Sequence, residues 1–465
     1  MDSSNPCTSE PLAEGRRDQE LIMSSRRESS GGVVRLLLVW VRAFLRGSYV
    51  FLSIILFCPI YFAYIFVCYA CFLHKIWPRL FWAIEGKLNR WLQAACGYWG
   101  YTAGYNIVEY GDDLSDCIQE RCLIMMNHQS TADVPTMLQA LQNKGPTARK
   151  AFWIMDISFK WSPFGIISQV HGDHFIRQGK DSRERELEKL REHLEKEFWD
   201  RDRRWVLVFP EGGFLYKRRE TSQAYARKHG YPHLEHATLP RTGAVRTVLE
   251  TCAPQSPVRQ KPSRVEADVE TVGSASGIEE EQEESTASEG SWEEIGERKE
   301  GEMKQRKKKG ILKQTVAAIR SKGYLKETRP PIRYVLDATM AFPDGDAVGF
   351  HHLALGYRKP YTIRIHYRVF DVSCVPWQDD QQLLRWMYER WQDKERLLDA
   401  YYRTGVFAWG EEGRELKFPW WKILINNCFL LTSVWVHWRL WLRHVVGVWL
   451  NFSRRLESAW LFDYV

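Results

Sequence analysis

The sequence predicts an α/β domain, with a mostly parallel sheet flanked by helices, joined to membrane-associated segments at both ends. Residues 122–126 and 205–209 are apolar runs of strand length, and each ends in a polar turn. A helical pattern at residues 181–199 leads into the second run, and such a strand–helix–strand crossover joins parallel strands. Residues 49–73 contain no charged side chain over 25 positions, more than the roughly 20 that cross a hydrocarbon core.

Composition supports this division into a catalytic part and membrane-associated parts. The 465 residues include 21 Trp, 20 Tyr and 22 Phe, and Trp is dense near both ends, which suits a bilayer interface. The formal charge of +7 suits an anionic membrane surface or phosphorylated ligands. The ten cysteines show no disulfide spacing, which argues against a disulfide-stapled secreted protein and predicts a reducing compartment for the catalytic part.

The amino-terminal residues divide into a tail and an anchor. Residues 1–32 are polar without an apolar period, which predicts a disordered tail, and residues 33–98 are predicted to form membrane-anchoring helices. Arg35, Arg42 and Arg46 give one face of an apolar helix a basic stripe, which is typical of a helix on the membrane surface. A helix docked on the protein's own core is the alternative. A proline inside the uncharged run allows a kink or a re-entrant segment.

The turn after the first predicted strand holds a histidine and an aspartate. On a continuous helix His128 and Asp133 would lie about 140° apart, so only a bent connection can bring them together. We expect His128 at the end of the strand and Asp133 at the start of a helix that Ser130 or Asp133 caps. A carboxylate that holds one imidazole nitrogen lets the other act as a general base. Alternatively, Asp133 only caps the helix and His128 is a polar loop residue.

A second polar turn of this kind strengthens the catalytic interpretation. Glu211, Gly212 and Gly213 follow the second apolar run, and ligands bind in the crevice at the carboxyl edge of α/β sheets. The pair of turns resembles the signature of the glycerolipid acyltransferase family, which is Asn-His, four residues, Asp, followed by Phe-Pro-Glu-Gly. Residues 172–177 and 239–243 resemble the family's second and fourth blocks in the same order. The segment 209–243 is most similar to the branch that acylates lysophosphatidylglycerol.

The resemblance implies a membrane-bound enzyme that transfers an acyl group from acyl-CoA to a lysophospholipid. His128 would accept the proton of the acceptor hydroxyl, and Asp133 would orient the imidazole. Acyl-CoA is then a co-substrate, and neither a cofactor, a metal nor a nucleic acid is implied. The resemblance also implies a set of substrate-binding residues, namely Arg177, Glu211, Gly212, Gly213, Pro240 and Arg241.

The chain departs from the family pattern at two arginines. Arg177 is the predicted phosphate contact, but it stands one position early, and Gln178 occupies the family's usual arginine position. The family continues its third block with Thr-Arg, whereas this chain has Gly213-Phe214, so the basic run at residues 217–219 is the predicted replacement. For Glu211 the implied contact with acceptor hydroxyls has an alternative, a buried structural carboxylate.

Two other functional classes are weighed against the acyltransferase. A Ser/His/Asp hydrolase would need Ser130, which lies too close to His128 and lacks a nucleophile elbow. A non-catalytic membrane scaffold would have no reason for two polar strand ends. The histidines at 171 and 174 and those at 229, 233 and 236 are expected to be unrelated to metal binding, because no further ligands accompany them.

The remaining chain completes the domain and adds a second membrane-associated segment. The acyltransferase domain is predicted at residues 99–405, interrupted at 254–309 by a charged stretch that cannot bury a core. Residues 361–369 alternate as a half-buried strand and residues 379–402 form a helix. Residues 406–465 are Trp-rich and predicted to associate with the membrane. Because the acceptor lies in the bilayer and acyl-CoA in the cytosol, we expect the endoplasmic reticulum membrane with the active site facing the cytosol.

Overall fold

A central sheet of eight strands organises the described part of the chain. The computed structural model describes residues 31–179, 181–254, 329–408, 410–418 and 420–462. The predicted tail and the predicted charged insertion lie outside these residues, apart from the residues at their edges. The strands are β1 (Asn106–Gly111), β2 (Cys122–Met126), β3 (Ala151–Asp156), β4 (His174–Ile176), β5 (Trp205–Val208), β6 (Tyr334–Ala341), β7 (Thr362–Asp371) and β8 (Arg414–Glu415).

The strand order confirms the predicted mostly parallel α/β class. It runs β4-β3-β5-β2-β6-β7-β1-β8. Neighbours are parallel except at β6–β7 and β1–β8. β2 lies in the middle beside β5, with Ile124 opposite Leu207. The polar turns that follow β2 and β5 therefore emerge side by side at one edge of the sheet.

Helices cover both faces of this sheet. They are α1 (Gly31–Ala70), α2 (Leu73–Ile76), α3 (Pro78–Ala103), α4 (Asp133–Leu141), α5 (Pro163–His171), α6 (Arg183–Glu197), α7 (Leu215–His229), α8 (Gly243–Cys252), α9 (Phe350–Leu355), α10 (Asp380–Thr404), α11 (Trp420–His437) and α12 (Arg443–Phe462). A π-helical turn, Trp438–Leu442, joins the last two. The predicted helices at 181–199 and 379–402 are confirmed as α6 and α10.

Two hydrophobic cores lie on opposite sides of the sheet. β2 is buried along its whole length, so successive residues feed different cores: Ile124 packs with α3 and α4, and Met125 packs with α6, α8 and α10. A continuous apolar run is what a strand covered on both faces requires. In β7 only alternate residues, among them Ile363 and Ile365, are fully buried, which confirms the predicted half-buried strand.

The first helix differs from the two separate segments that the sequence predicted. α1 runs unbroken from Gly31 to Ala70 and passes through Pro59, so the basic stripe and the uncharged run belong to one helix. Within the described residues it is the helix long and apolar enough to cross a membrane, over Leu36–Ala70. Arg46 does not face a membrane surface, because its Nη2 donates to the Trp99 carbonyl oxygen at 2.8 Å. At Arg46 the helix is therefore docked on the protein's own core, which was the alternative to a membrane-surface helix.

A buried ionic cluster joins α1 and α3 to the central sheet. Glu85 of α3 is completely buried and accepts hydrogen bonds from the Tyr61 hydroxyl of α1 and from His171 Nδ1, both at 2.8 Å. Arg203, just before β5, lies 3.4 Å from its other oxygen. Burial alone raises the pKa of Glu85, but His171 and Arg203 outweigh it and hold that pKa at about 2. The anchor and the sheet therefore share one charged network.

Helix α11, the last but one in the chain, packs against α1. The Tyr49 hydroxyl donates to Asn427 Oδ1 at 2.9 Å, and the hydroxyls of Tyr64 and Ser433 lie 3.1 Å apart. These contacts explain why the otherwise apolar helix carries polar residues, because polar side chains on its inner face meet those of α1. The outer face exposes large apolar residues such as Trp435. The predicted membrane association of residues 406–465 stays a prediction.

Candidate active site

The two turns at the carboxyl edge of the sheet bring His128 and Asp133 together. His128 Nδ1 lies 2.8 Å from Asp133 Oδ2, and the Asp133 side chain is completely buried. Its Oδ2 also accepts a bond from the Ser130 backbone N–H at 2.9 Å. His128 Nε2 has no hydrogen-bond partner among the described residues, and 13% of its side chain is exposed. This is the arrangement of an oriented imidazole with one nitrogen available to a substrate.

The predicted capping of α4 is wrong in its detail. Ala132 occupies the N-cap position without a side-chain bond. The Asp133 carboxylate turns back to His128 and is unavailable to the helix N–H groups. The Ser130 hydroxyl instead donates to the Val348 carbonyl oxygen at 2.6 Å. Both candidate caps are therefore used to shape the catalytic turn.

Two aromatic rings hold the His128 imidazole. The Phe209 ring stacks on His128 with centroids 4.0 Å apart and planes 18° apart, and the Phe214 ring is 4.4 Å away. The backbone N–H of Leu215, the first residue of α7, donates to the His128 carbonyl oxygen at 2.8 Å. The imidazole therefore has its ring plane and its backbone fixed by the turn that follows β5.

Asn127 has a structural role that the sequence did not reveal. Its side-chain Nδ2 donates to the Met340 carbonyl oxygen at 2.9 Å, and its Oδ1 accepts from the Met340 N–H at 2.8 Å. The Asn127 side-chain amide thus makes the two hydrogen bonds that a strand backbone would make to Met340. These bonds extend the pairing of β2 with β6 by one residue beyond the end of β2. This connection fixes the exit of β2 immediately before His128.

Glu211 is buried beside the dyad and is saturated with donors. Its Oε1 accepts from the His128 N–H at 3.3 Å and from Trp391 Nε1 at 3.1 Å. Its Oε2 accepts from the Thr238 N–H at 3.2 Å and from the Thr238 hydroxyl at 2.9 Å. Burial raises the pKa of Glu211 to about 7 in spite of these bonds. The geometry favours a structural carboxylate, and the predicted contact with acceptor hydroxyls stays a prediction.

A pair of arginines converges on a neutral amide next to Gly212. Gln178 Oε1 accepts from Arg241 Nη1 at 3.1 Å and from Arg218 Nη1 at 3.3 Å. Arg218 also donates to the Gly212 carbonyl oxygen at 3.0 Å. Burial and the neighbouring Arg218 both lower the pKa of Arg241, as expected for two cations held close together. Such a pair suits a phosphate group, which guanidinium groups bind with directed hydrogen bonds.

The glycines of the β5 turn make room for these arginines. Gly212 has a φ of +68°, and a Cβ added there would lie 3.3 Å from Arg241 Nη1. A Cβ added at Gly213 would lie 2.7 Å from the Arg218 Cδ. The predicted residue Pro240 is buried, and the Arg241 N–H after it donates to the Pro210 carbonyl oxygen at 2.9 Å. The fourth block is thereby joined to the third.

Arg177 is not part of this arginine pair. Its side chain is exposed and bonds to no described residue, while its backbone N–H donates to Glu186 Oε2 at 3.0 Å. Its role in phosphate binding stays a prediction. The structure adds Gln178 and Arg218 to the candidate site. Each had a signal in the sequence, since Gln178 stands at the family's arginine position and Arg218 lies in the basic run.

One face of α10 supports the catalytic turns from behind. Trp391 bonds Glu211, and Lys394 Nζ lies 2.6 Å from both Asp337 Oδ1 and the Ala338 carbonyl oxygen of β6. The Glu395 carboxylate accepts from three successive backbone N–H groups, those of residues 235–237, at 2.7 to 3.2 Å. The middle residue, His236, in turn accepts from Gln129 Nε2 through its carbonyl oxygen at 2.7 Å.

Within the part of the chain that the structure describes, no group of three or more His, Cys, Asp or Glu is arranged to hold a metal ion. His171 is occupied by Glu85, and the ring of His236 lies 4.9 Å from that of Tyr402. The described site presents an imidazole, two carboxylates and a pair of arginines. That no metal takes part in the reaction stays a prediction.

Comparison with known proteins indicates the family of this chain. A family profile described as Acyltransferase matches residues 107–261, and one described as Acyltransferase C-terminus matches residues 354–430. Acyl-CoA:lysophosphatidylglycerol acyltransferase 1 of Homo sapiens is 35% identical over 85% of this chain and 89% of its own length. Its counterpart from Mus musculus is 33% identical over 80% and 88%, respectively. The 2-acyl-1-lysophosphatidylinositol acyltransferase of Saccharomyces cerevisiae is 28% identical over 25% and 33%. The chain therefore belongs to the glycerolipid acyltransferase family.

Proposed function

We propose that this protein transfers an acyl group from acyl-CoA to the free hydroxyl of a lysoglycerophospholipid such as lysophosphatidylglycerol. The observation that carries the proposal is the 2.8 Å contact between His128 Nδ1 and Asp133 Oδ2 in the crevice, with Nε2 left available. The similarity to two acyl-CoA:lysophosphatidylglycerol acyltransferases over most of their length supports this acceptor class.

The reaction needs one proton to move twice. His128 Nε2 accepts the proton of the acceptor hydroxyl while that oxygen attacks the thioester carbonyl carbon. The carbon–sulfur bond then breaks, and the imidazolium returns the proton to the departing thiolate of coenzyme A. The hydroxyl is itself the nucleophile, so no acyl-enzyme is required. Asp133 and the ionised form of Glu211 place negative charge near the imidazolium and thereby stabilise it.

The arginine pair provides the place for the acceptor phosphate. Arg218 and Arg241 share Gln178 Oε1 and have no carboxylate among their described hydrogen-bond partners. A phosphodiester bound there lies next to Gly212, in the same turn as Glu211 and close to His128. Arg177 stays a candidate for a further contact, because it follows the strand that leads to Gln178.

The apolar helix α1 supports membrane attachment. We further propose that the protein lies in the endoplasmic reticulum membrane with its crevice at the cytosolic surface. Acyl-CoA is water-soluble and the acceptor lies at the bilayer interface, so only a crevice at that boundary reaches both. A protease-cleavable tag placed near residue 280 should be cut from outside sealed microsomes. Protection of that tag would place the crevice on the luminal side.

The decisive experiment measures transfer from a labelled acyl-CoA to a panel of lysophospholipids with purified protein. We expect His128→Ala to lower the rate ~10²–10⁴-fold, because a positioned general base contributes about that factor. His233→Ala is a matched control, since its side chain is half exposed. A His128→Ala rate within a few-fold of wild type would reject the mechanism. Release of free fatty acid without an acceptor would indicate a hydrolase instead.

A further inference from the structure

The basic run at the start of α7 separates into two different environments. Arg218 is half-buried and bonds Gly212 and Gln178. Arg219 is exposed and forms neither a hydrogen bond nor an ion pair with a described residue. Consecutive residues on a helix project about 100° apart, so the two guanidinium groups leave the same turn in different directions. Arg219 lines a separate cavity of about 430 Å³.

This cavity extends from the catalytic turn. Its lining includes residues 129–131, directly after His128, together with Ala347 and Gly349. These two segments are joined, because Thr131 Oγ1 accepts from the Phe350 N–H at 2.9 Å and Ser130 bonds the Val348 carbonyl oxygen.

The exposed part of the cavity lining, at its rim, carries different chemical groups from the buried part. It carries Arg219, His351 and Tyr216, whose side chain is 64% exposed. The buried part of the lining combines small residues with Leu215 and Gln129. The cavity thus offers apolar and amide surface near the catalytic turn, and a cation with aromatic rings at its mouth. These surfaces, from the catalytic turn to the mouth, match an extended ligand that carries amide and methylene groups and ends in phosphates.

Two phosphate-bearing substrates must reach His128 together in a transfer without an acyl-enzyme. The Arg218–Arg241 pair and the Arg219 cavity lie on different sides of the first turn of α7. That turn is itself held at the catalytic residue, since the Leu215 N–H donates to the His128 carbonyl oxygen at 2.8 Å. The turn can therefore keep two anionic ligands apart while both approach the same imidazole.

We infer, building on the proposed acyl transfer, that the cavity holds the pantetheine arm of the acyl-CoA donor and that Arg219 binds its phosphates, whereas Arg218 serves the acceptor. Adjacent arginines then recognise opposite substrates. The thioester lies at the inner end of the cavity, beside the catalytic turn, and the nucleotide lies outside near Tyr216. His351 lies at the same rim and adds polar contacts to the donor.

The test compares Arg219→Gln with Arg218→Gln by varying each substrate in turn. We expect Arg219→Gln to raise the KM for acyl-CoA about tenfold and to leave the KM for the lysophospholipid within about twofold, because one charge-assisted contact is lost. Arg218→Gln should do the reverse. Arg227→Gln, an exposed arginine in the last turn of the same helix, is the matched control and should change neither KM.

A second arm uses donors that lack the phosphates. With acyl-pantetheine in place of acyl-CoA, Arg219→Gln and wild type should transfer at equal rates. A defect that persists with acyl-pantetheine, or an increase in the acceptor KM for Arg219→Gln, overturns the assignment.

Calorimetric titration with coenzyme A tests the cavity without turnover. Wild type should bind it, and Arg219→Gln should bind about tenfold more weakly. Equal binding by the two proteins overturns the inference even when transfer is intact. By contrast, retained coenzyme A binding with no transfer to any lysophospholipid rejects the proposed function and leaves the cavity assignment standing.

Discussion

Replacing Trp391 by phenylalanine removes one of the four donors that hold Glu211. Trp391 Nε1 donates to Glu211 Oε1 at 3.1 Å, and both side chains are completely buried. Bulk solvent does not reach such a site, so the lost donor is not replaced by exposed water. A hydrogen bond to a charged group contributes ~1.5–3 kcal/mol, and a neutral one about 1 kcal/mol. The cost of Trp391→Phe therefore depends on whether Glu211 is ionised.

The sign of the pH dependence follows from the pKa of Glu211. Burial raises it from 4.5 to about 7 in the folded protein, so folding is favoured by the protonated form. The stability that Glu211 contributes is fully present below pH 4.5 and is lost as the pH rises through 7. Loss of the Trp391 donor raises this pKa further. The destabilisation by Trp391→Phe should consequently be larger at pH 8 than at pH 5, by about 1 kcal/mol.

Thermal unfolding of the purified protein between pH 5 and pH 8 measures this difference. An extra 1 kcal/mol corresponds to roughly 2–4 °C in Tm for a domain of this size class. The acid limb of the kcat profile should shift to higher pH in the same variant. Trp386→Phe is the control, because Trp386 lies on the same helix but packs on Phe370 with ring centroids 5.4 Å apart. An equal fall in Tm at both pH values would refute the link between Trp391 and an ionised Glu211.

Three further changes test other parts of the structure. Gly213→Ala should raise the KM for the lysophospholipid several-fold, since the new Cβ would lie 2.7 Å from the Arg218 Cδ. Gly447→Ala, with open space around it, should not, and equal effects would contradict the arginine assignment. Glu85→Gln removes the carboxylate that is ion-paired with the buried Arg203 and should lower the free energy of unfolding by ~3–5 kcal/mol, and an unchanged denaturant midpoint would contradict this. Replacing residues 255–328 by a short Gly-Ser linker should leave the transfer rate within about twofold, because the Ile332 N–H donates to the Cys252 carbonyl oxygen at 2.7 Å; complete loss of activity in the folded protein would show that the segment contributes to catalysis.

Features that depend on neighbouring residues could be predicted from the sequence. His128 and Asp133 are five positions apart, so the bend after one strand is enough to join them. The burial of β2 and β5 follows from their continuous apolar runs. That the two strands lie beside each other was decided by the tertiary structure, because β3 and β4 separate them in the chain. The α/β class and the polar turn at the end of each strand could therefore be predicted from the sequence.

Features that depend on distant segments were decided by the tertiary structure. Glu211 is 180 residues from Trp391, and Asn127 is 213 residues from Met340; no local pattern couples such pairs. Arg218 and Arg219 are neighbours with the same side chain, yet one bonds Gln178 and the other lines a cavity. Their difference comes from the rotation of α7 against β5. The sequence therefore predicted the groups that we propose carry the chemistry, because those groups follow from short-range geometry. Only the packing of remote elements around them decided the partners, burial and pKa of each group.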